Sequence, residues 1–232
     1  LFTENVEEDA RFFLWGNTAY AFGVCLTTAF FMYSWCASIR GVEGGGLIDG
    51  LHVWTFETDE GEPARKCPTE IAITDRREKE LTDLGFMPLV HCKNTEYAAF
   101  FSAPSCNKPK KYDSDTANAN ARLAGQLQYV FSASRFGQYL KAITRDRTGS
   151  YITRGDCERH LNQWISQYVN VNDESSLMVK AQFPLREARI DVVEVPGKPG
   201  IYSAVVFLRP YFQLDELSVS LRFVVELPLQ TH

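Results

Sequence analysis

Period-two alternation dominates the end of the chain. Leu217, Val219, Leu221, Phe223, Val225 and Leu227 alternate with Ser218, Ser220, Arg222, Val224 and Glu226. The pattern predicts an antiparallel strand with its odd-numbered side chains turned to a core. Ile201 to Leu208 is apolar on both faces, as in a central strand. Arg189 to Val195 alternates, with Ile190 and Val192 on one face, and PGKPG supplies a turn. These two runs predict a hairpin whose edge is offered to other chains, because unpaired strand edges are templates for strand addition.

Earlier in the chain the period is helical. Leu123, Leu127, Val130 and Phe131, then Phe136, Leu140 and Ile143, predict one helix from about Ala119 to Arg147, closed by Gly149. Leu161, Trp164, Ile165 and Tyr168 fall on one face of a helix over 156–169. A shorter helix over 76–84 ends at Gly85, with Asp75 and Glu78 at capping-box-like spacing. Short strands are expected at His52–Phe56, Glu70–Ile73, Phe86–His91 and Tyr97–Phe101, the last two at hairpin spacing. Helices first and antiparallel strands last predict an α+β class, with helices packed on a mainly antiparallel sheet.

Residues 7–38 read as one long helix, and Phe12 to Ile39 carries no charge. A membrane span is the first reading of such a run. However, Asn17, Thr18, Thr27, Thr28, Ser34 and Ser38 are scattered through it, Gly16 and Gly23 interrupt it, and it has no polybasic flank. The expectation is a segment buried in protein, with Gly16 and Gly23 admitting a close neighbour and the covering surface coming from this chain or from partners. Residues 1–40 form this apolar part and 41–232 the α+β body, expected as one continuous domain.

Composition narrows the function classes. At 45% hydrophobic residues the 232-residue chain can build a substantial core. Its formal charge of −5 invites neither nucleic acid nor an anionic membrane. Six scattered cysteines without a CxxC pair speak against a zinc ribbon or a thioredoxin-like site and fit reduced cytosolic thiols. The opening LFTENVEEDA is acidic and lacks the apolar core of a secretory signal. A start at Leu1 rather than Met is expected of a fragment or a processed product.

Catalytic signatures are missing. GVEGGG is neither GxxxxGK[ST] nor GxGxxG, so its glycines read as a tight connection. There is no GxSxG and no HExxH, and His91 and Cys92, adjacent on a strand, point to opposite faces. No cofactor or metal is expected. An enzyme would need a site assembled from distant residues, with Cys67 and His91 the candidates. Lys108, Lys110 and Lys111 read as a solvated loop. Lys141 and Arg145, one turn apart with Arg147 just beyond, complement a helix dipole or contact an acidic partner.

Longer strings carry a resemblance. FLWGNTAYAFG, IRGVEGGG, CPTEIAITDRREKELTDLGFMPL, KPKKYDSDTANANARL, SRFGQYLKAITRDRTGS and FLRPYFQLDELSVSLRFVVELP span most of the chain. They resemble the carboxy-terminal part of the large subunit of the bacterial type VI secretion contractile sheath, the TssC/VipB family. Tyr211, where the family pattern has His, RDRTG in place of RDKIG, and the divergent residues 171–183 depart from it and bear on partner contacts. The resemblance implies a contractile tail-sheath-like fold and a structural, non-enzymatic role in the bacterial cytoplasm. It implies pairing with a small sheath subunit, a six-start helical sheath of many copies around an inner tube protein, and recycling by an AAA+ unfoldase. It further implies strand exchange between protomers, for which Ile190, Val192, Val205, Phe207, Val219, Leu221 and Phe223 are the candidates. Lys141, Arg145 and Arg147 are the candidates for contact with the tube.

Overall fold

The computed structural model describes residues 15–51, 53, 55–57, 59, 61, 63–146, 153–196, 202–211 and 221–227. They fall into two compact units. One holds the described residues up to Met32 together with Ser38–Cys106, and the other holds Tyr33–Ala37 and the described residues from Asn107 onward.

In the first unit, helix α1 (Thr18–Tyr33) starts where Asn17 Oδ1 accepts from Ala19 N–H at 2.9 Å. It stops at Ser34, whose φ of 60° is incompatible with helix. It is therefore shorter than the expected 7–38, of which residues 7–14 lie outside the described part. A three-stranded sheet has the order β1 (Leu47–Ile48), β5 (Ala98–Phe100), β4 (Leu89–His91), all antiparallel. Strands β2 (Thr55–Glu57) and β3 (Pro63–Arg65) form a separate pair. Phe22 of α1 meets Phe100 edge-on, with ring centroids 5.1 Å apart.

The glycine run is a structural clamp on β5. Gly41 N–H donates to the Phe100 carbonyl at 2.7 Å, and Phe100 N–H donates to the Gly46 carbonyl at 2.9 Å. A Cβ on Gly46 would stand 2.6 Å from the Phe100 oxygen, so only glycine fits this approach.

Helix α2 (Asp75–Asp83) ends as expected, with Gly85 at φ 92° and its N–H donating to the Thr82 carbonyl. Its start differs. Thr74 is the N-cap, without a side-chain bond, and Glu78 is engaged elsewhere, accepting from Thr82 Oγ1 at 3.1 Å and from Ser102 Oγ. Glu70–Ile73 is not a strand: the chain bends through Ile71, with Thr69 Oγ1 donating to the Ile71 carbonyl, and is irregular after it.

In the second unit, the single helix expected over 119–147 is two, α3 (Asp115–Ala124) and α4 (Leu127–Asp146). The chain turns at Gly125–Gln126, where Gly125 N–H closes α3 on the Ala121 and Arg122 carbonyls. The turn resets the helical phase. Phe131 is consequently exposed, while Ser132, Phe136, Leu140 and Thr144 line the buried face. Helix α5 (Arg154–Ile165) is capped by Thr153, whose Oγ1 accepts from Asp156 N–H at 3.2 Å, and it runs on into a 3-10 turn, Ser166–Tyr168. A short helix α6 (Leu177–Gln182) follows.

Strands β6 (Leu185–Glu194), β7 (Tyr202–Pro210) and β8 (Leu221–Leu227) form an antiparallel sheet with β7 in the centre. Ile190 lies opposite Val206, and Val206 opposite Phe223. Most of the turn PGKPG lies outside the described residues, but the hairpin it joins is present. Phe136 and Leu140 of α4, with Cys157, Leu161 and Ile165 of α5, pack on one face against Ile190, Val192, Ala204, Val206, Leu208, Val225 and Leu227. A Cβ on Gly137 would meet the Phe223 ring at 3.4 Å, which shows how closely α4 approaches β8. The fold is α+β, as expected.

Candidate assembly surfaces

Helix α1 is uncharged and mostly apolar, yet only Phe22, Cys25 and Ala29 are buried. Tyr20 (81% exposed), Val24 (60%), Phe31 (85%) and Met32 (56%) face outward. Of the segment expected to be covered by this chain or by partners, the described part of this chain covers one face of α1 together with Trp35, Ser38 and Ile39. Cβ positions on Gly16 and Gly23 would meet open space, so neither glycine has a close neighbour among the described residues. Among the described residues no helix is long and apolar enough to cross a membrane. A contiguous apolar face of this kind is characteristic of a surface that binds another protein.

The candidate strand residues lie in one sheet but on both of its faces. Ile190 and Val192 are fully buried and Phe223 is half-buried, all facing the helices. Val205 and Phe207 are half-buried on the opposite face. There the guanidinium of Arg189 lies 4.9 Å and that of Arg222 5.7 Å from the centre of the Phe207 ring. Leu221 pairs with Leu208 through the backbone, and Val219 lies outside the described residues. Val225 and Leu227 point into the core and Val224 outward, as the alternation predicts.

The two edges of this sheet differ. Among the described residues no strand pairs with the far side of β8. A cleft of about 510 Å³ opens beside it, lined by Tyr112, Asn120, Tyr129, Val130, Arg222 and Phe223 among others. On β6, the outward N–H and carbonyl of Ile190 are taken by Asn162 of α5, and the N–H of Val192 by Glu158. Those two residues were not legible as functional. The polar side of an amphipathic helix reads as solvent-facing, and nothing in the sequence marks it as the neighbour of a strand edge.

Lys141 and Arg145 are exposed near the end of α4, Arg145 with Asp146 at 3.6 Å, and Arg147 lies outside the described residues. Of the two residues considered for catalysis, Cys67 lies in the segment after β3 and His91 ends β4, and each is bonded locally. Cys67 Sγ lies 2.9 Å from Thr69 Oγ1, and His91 Nε2 lies 2.8 Å from the Thr95 carbonyl. Burial pushes the thiols of Cys25, Cys36, Cys92 and Cys157 upward, which disfavours the reactive thiolate. Among the described residues no group of His, Cys, Asp and Glu is arranged to hold a metal ion.

Comparison with known proteins adds two matches of one kind. Residues 1–107 match the family described as EvpB/VC_A0108, tail sheath N-terminal domain, and residues 116–227 match EvpB/VC_A0108, tail sheath gpW/gp25-like domain. The chain is 50% identical over 221 residues to the type VI secretion system sheath protein TssC1 of Pseudomonas aeruginosa. That alignment takes in 95% of this chain and 44% of the relative, so the chain spans less than half of the relative's length.

Proposed function

The chain belongs to the EvpB/VC_A0108 tail sheath family, and from that membership we propose that it is a structural subunit of the bacterial type VI secretion contractile sheath. In this reading it pairs with the small sheath subunit and polymerises with further copies of itself as a six-start helix around the inner tube protein. Contraction of the sheath drives the tube outward from the cytoplasm, and an AAA+ unfoldase recycles the contracted form. The β6–β8 sheet carries the links between protomers through its β8 side, and the basic end of α4 touches the tube. No catalytic step is assigned to the chain.

The observation that carries this reading is the outward apolar face of α1. Tyr20, Val24, Phe31 and Met32 would cost solubility in a free-standing protein and instead suit a permanent neighbour in an assembly. The test is co-expression with the small subunit and inspection for sheaths by electron microscopy. Val24→Glu with Phe31→Glu, both on the exposed face, should leave the circular dichroism spectrum unchanged and abolish sheaths. Sheaths of normal length and yield from that variant would refute the role given to α1.

A further inference from the structure

Sheet edges attract strands, and the β6 edge is already occupied by side chains. Asn162 Oδ1 accepts from Ile190 N–H at 3.0 Å, while Asn162 Nδ2 donates to the Ile190 carbonyl at 2.7 Å. One side-chain amide thus makes to one strand residue the two bonds that a residue of a neighbouring antiparallel strand would make. Nδ2 also donates to the Glu158 carbonyl at 2.9 Å, so both of its hydrogens are used and the amide plane is held. Two residues along β6, Val192 N–H donates to Glu158 Oε2 at 3.0 Å. Arg154 approaches that carboxylate at 3.8 Å from the preceding turn. Asn162 and Glu158 stand one turn apart on α5, beside the core-facing Cys157, Leu161 and Ile165. Because backbone groups alternate along a strand, Ile190 and Val192 face outward while Asp191 and Val193 face β7.

We propose that Asn162 and Glu158 act as an edge block, standing in for a fourth strand on β6 and restricting partner-strand pairing to the β8 side of the sheet. The strand they exclude is β6 of a second copy. Two identical strands meeting across a two-fold axis pair antiparallel, and the part of β6 beyond Leu185, whose carbonyl already accepts from Asn170 N–H at 2.9 Å, is long enough for it. A sheath subunit with two open edges could join neighbours in the wrong order. The block serves the strand exchange proposed above, but its test uses this chain alone, so its failure leaves the sheath reading standing.

The experiment compares the chain with its Asn162→Ala, Glu158→Ala variant. Amide hydrogen exchange should accelerate about tenfold or more at Ile190 and Val192, and stay unchanged at Asp191 and Val193, whose bonds belong to the ladder. Light scattering should show a higher mass than wild type, and a synthetic peptide of residues 185–194 should bind the variant and not the wild type. Glu158→Gln, which keeps an acceptor for Val192 N–H, should behave as wild type. Should the double variant lose protection at Asp191 and Val193 as well, Asn162→Leu, which keeps the volume, is read in the same way. Accelerated exchange at Ile190 and Val192 with unchanged mass and no peptide binding would overturn the proposal.

Discussion

The indole of Trp35 lies almost flat on the ring of Phe136, with centroids 4.5 Å apart and planes 23° from parallel. Tyr168 meets both rings edge-on, at 5.4 and 5.5 Å. The guanidinium of Arg135 sits 4.7 Å from the indole centre and donates to the Ser34 carbonyl. Trp35 is only 4% exposed, although the chain on either side of Tyr33–Ala37 belongs to the other compact unit. A five-residue excursion therefore supplies part of the aromatic core beneath β6–β8.

Removing this indole should be expensive. Trp35→Ala is expected to destabilise the second unit by about 3–5 kcal/mol, the range for emptying a large buried aromatic site. Trp35→Phe, which keeps a ring on Phe136, should cost clearly less. Urea midpoints of the two variants decide the matter. Equal, small losses would show that the indole does not anchor the core.

Tyr211 ties down the loop ahead of α6. Its hydroxyl donates to the Asn170 carbonyl, with the Asn172 carbonyl at 3.3 Å, and Lys180 Nζ lies 5.4 Å from the ring centre. Tyr211→Phe should cost roughly 1 kcal/mol, the typical net worth of such a bond. Amide exchange should rise in residues 170–176 and not in β7. A uniform rise across the sheet would show that Tyr211 supports the fold as a whole.

That contact also joins two features that look separate in sequence. Tyr211 and residues 171–183 are both expected to bear on partner contacts, and in the structure the tyrosine bonds to the start of that stretch. Strand period, the β6–β7 hairpin, the core stripe of α5 and the Gly85 stop were legible because each is written in local alternation or in one residue's backbone freedom. The break between α3 and α4 was not. Gly125 sits in a pattern that stays helical on both sides, and only the change of phase reveals the turn. The end of α1 at Ser34 has no propensity signal, since tertiary contacts of Trp35 and Arg135 hold its positive φ. The block on β6 was hidden for a different reason: Asn162 and Glu158 are ordinary polar helix residues until a strand edge is placed beside them.

Buried Cys157 makes stability depend on alkaline pH. Desolvation, helped by the neighbouring Glu158 charge, pushes its thiol from 9.0 up to about 11. Between those values the unfolded chain releases the proton and the folded chain keeps it. The unfolded state then binds fewer protons, so stability falls as pH rises. The contribution is complete below the unfolded value near 9 and is lost as pH climbs through the folded value near 11. Cys157→Ala should cost about 1 kcal/mol at neutral pH through the small void it leaves. It should also flatten the decline between pH 9 and 11, measured as urea midpoint against pH. An equally steep decline in the variant would assign the effect to other groups, such as Tyr211, whose hydroxyl is raised by burial and by Asp173.

A contractile sheath must hold its tube in register and release it on firing, and exposed charged contacts do both, since they weaken with small changes in geometry. Lys141 and Arg145 stand one turn apart and exposed on α4. Arg145, in the last turn, also complements the helix dipole, so reversing the pair has two effects of different kinds. Lys141→Glu with Arg145→Glu should lower thermal stability slightly, by about 0.3–1 kcal/mol for the one charge reversed in the last turn. If the pair also contacts the tube, co-sedimentation of sheath with tube should fall about fivefold, equivalent to roughly 1 kcal/mol of surface charge pairing. That deficit should shrink as salt is raised, because exposed pairs are screened. A stability loss alone, with sheath and tube sedimenting together as in wild type at low salt, would reduce the role of these two residues to the helix dipole.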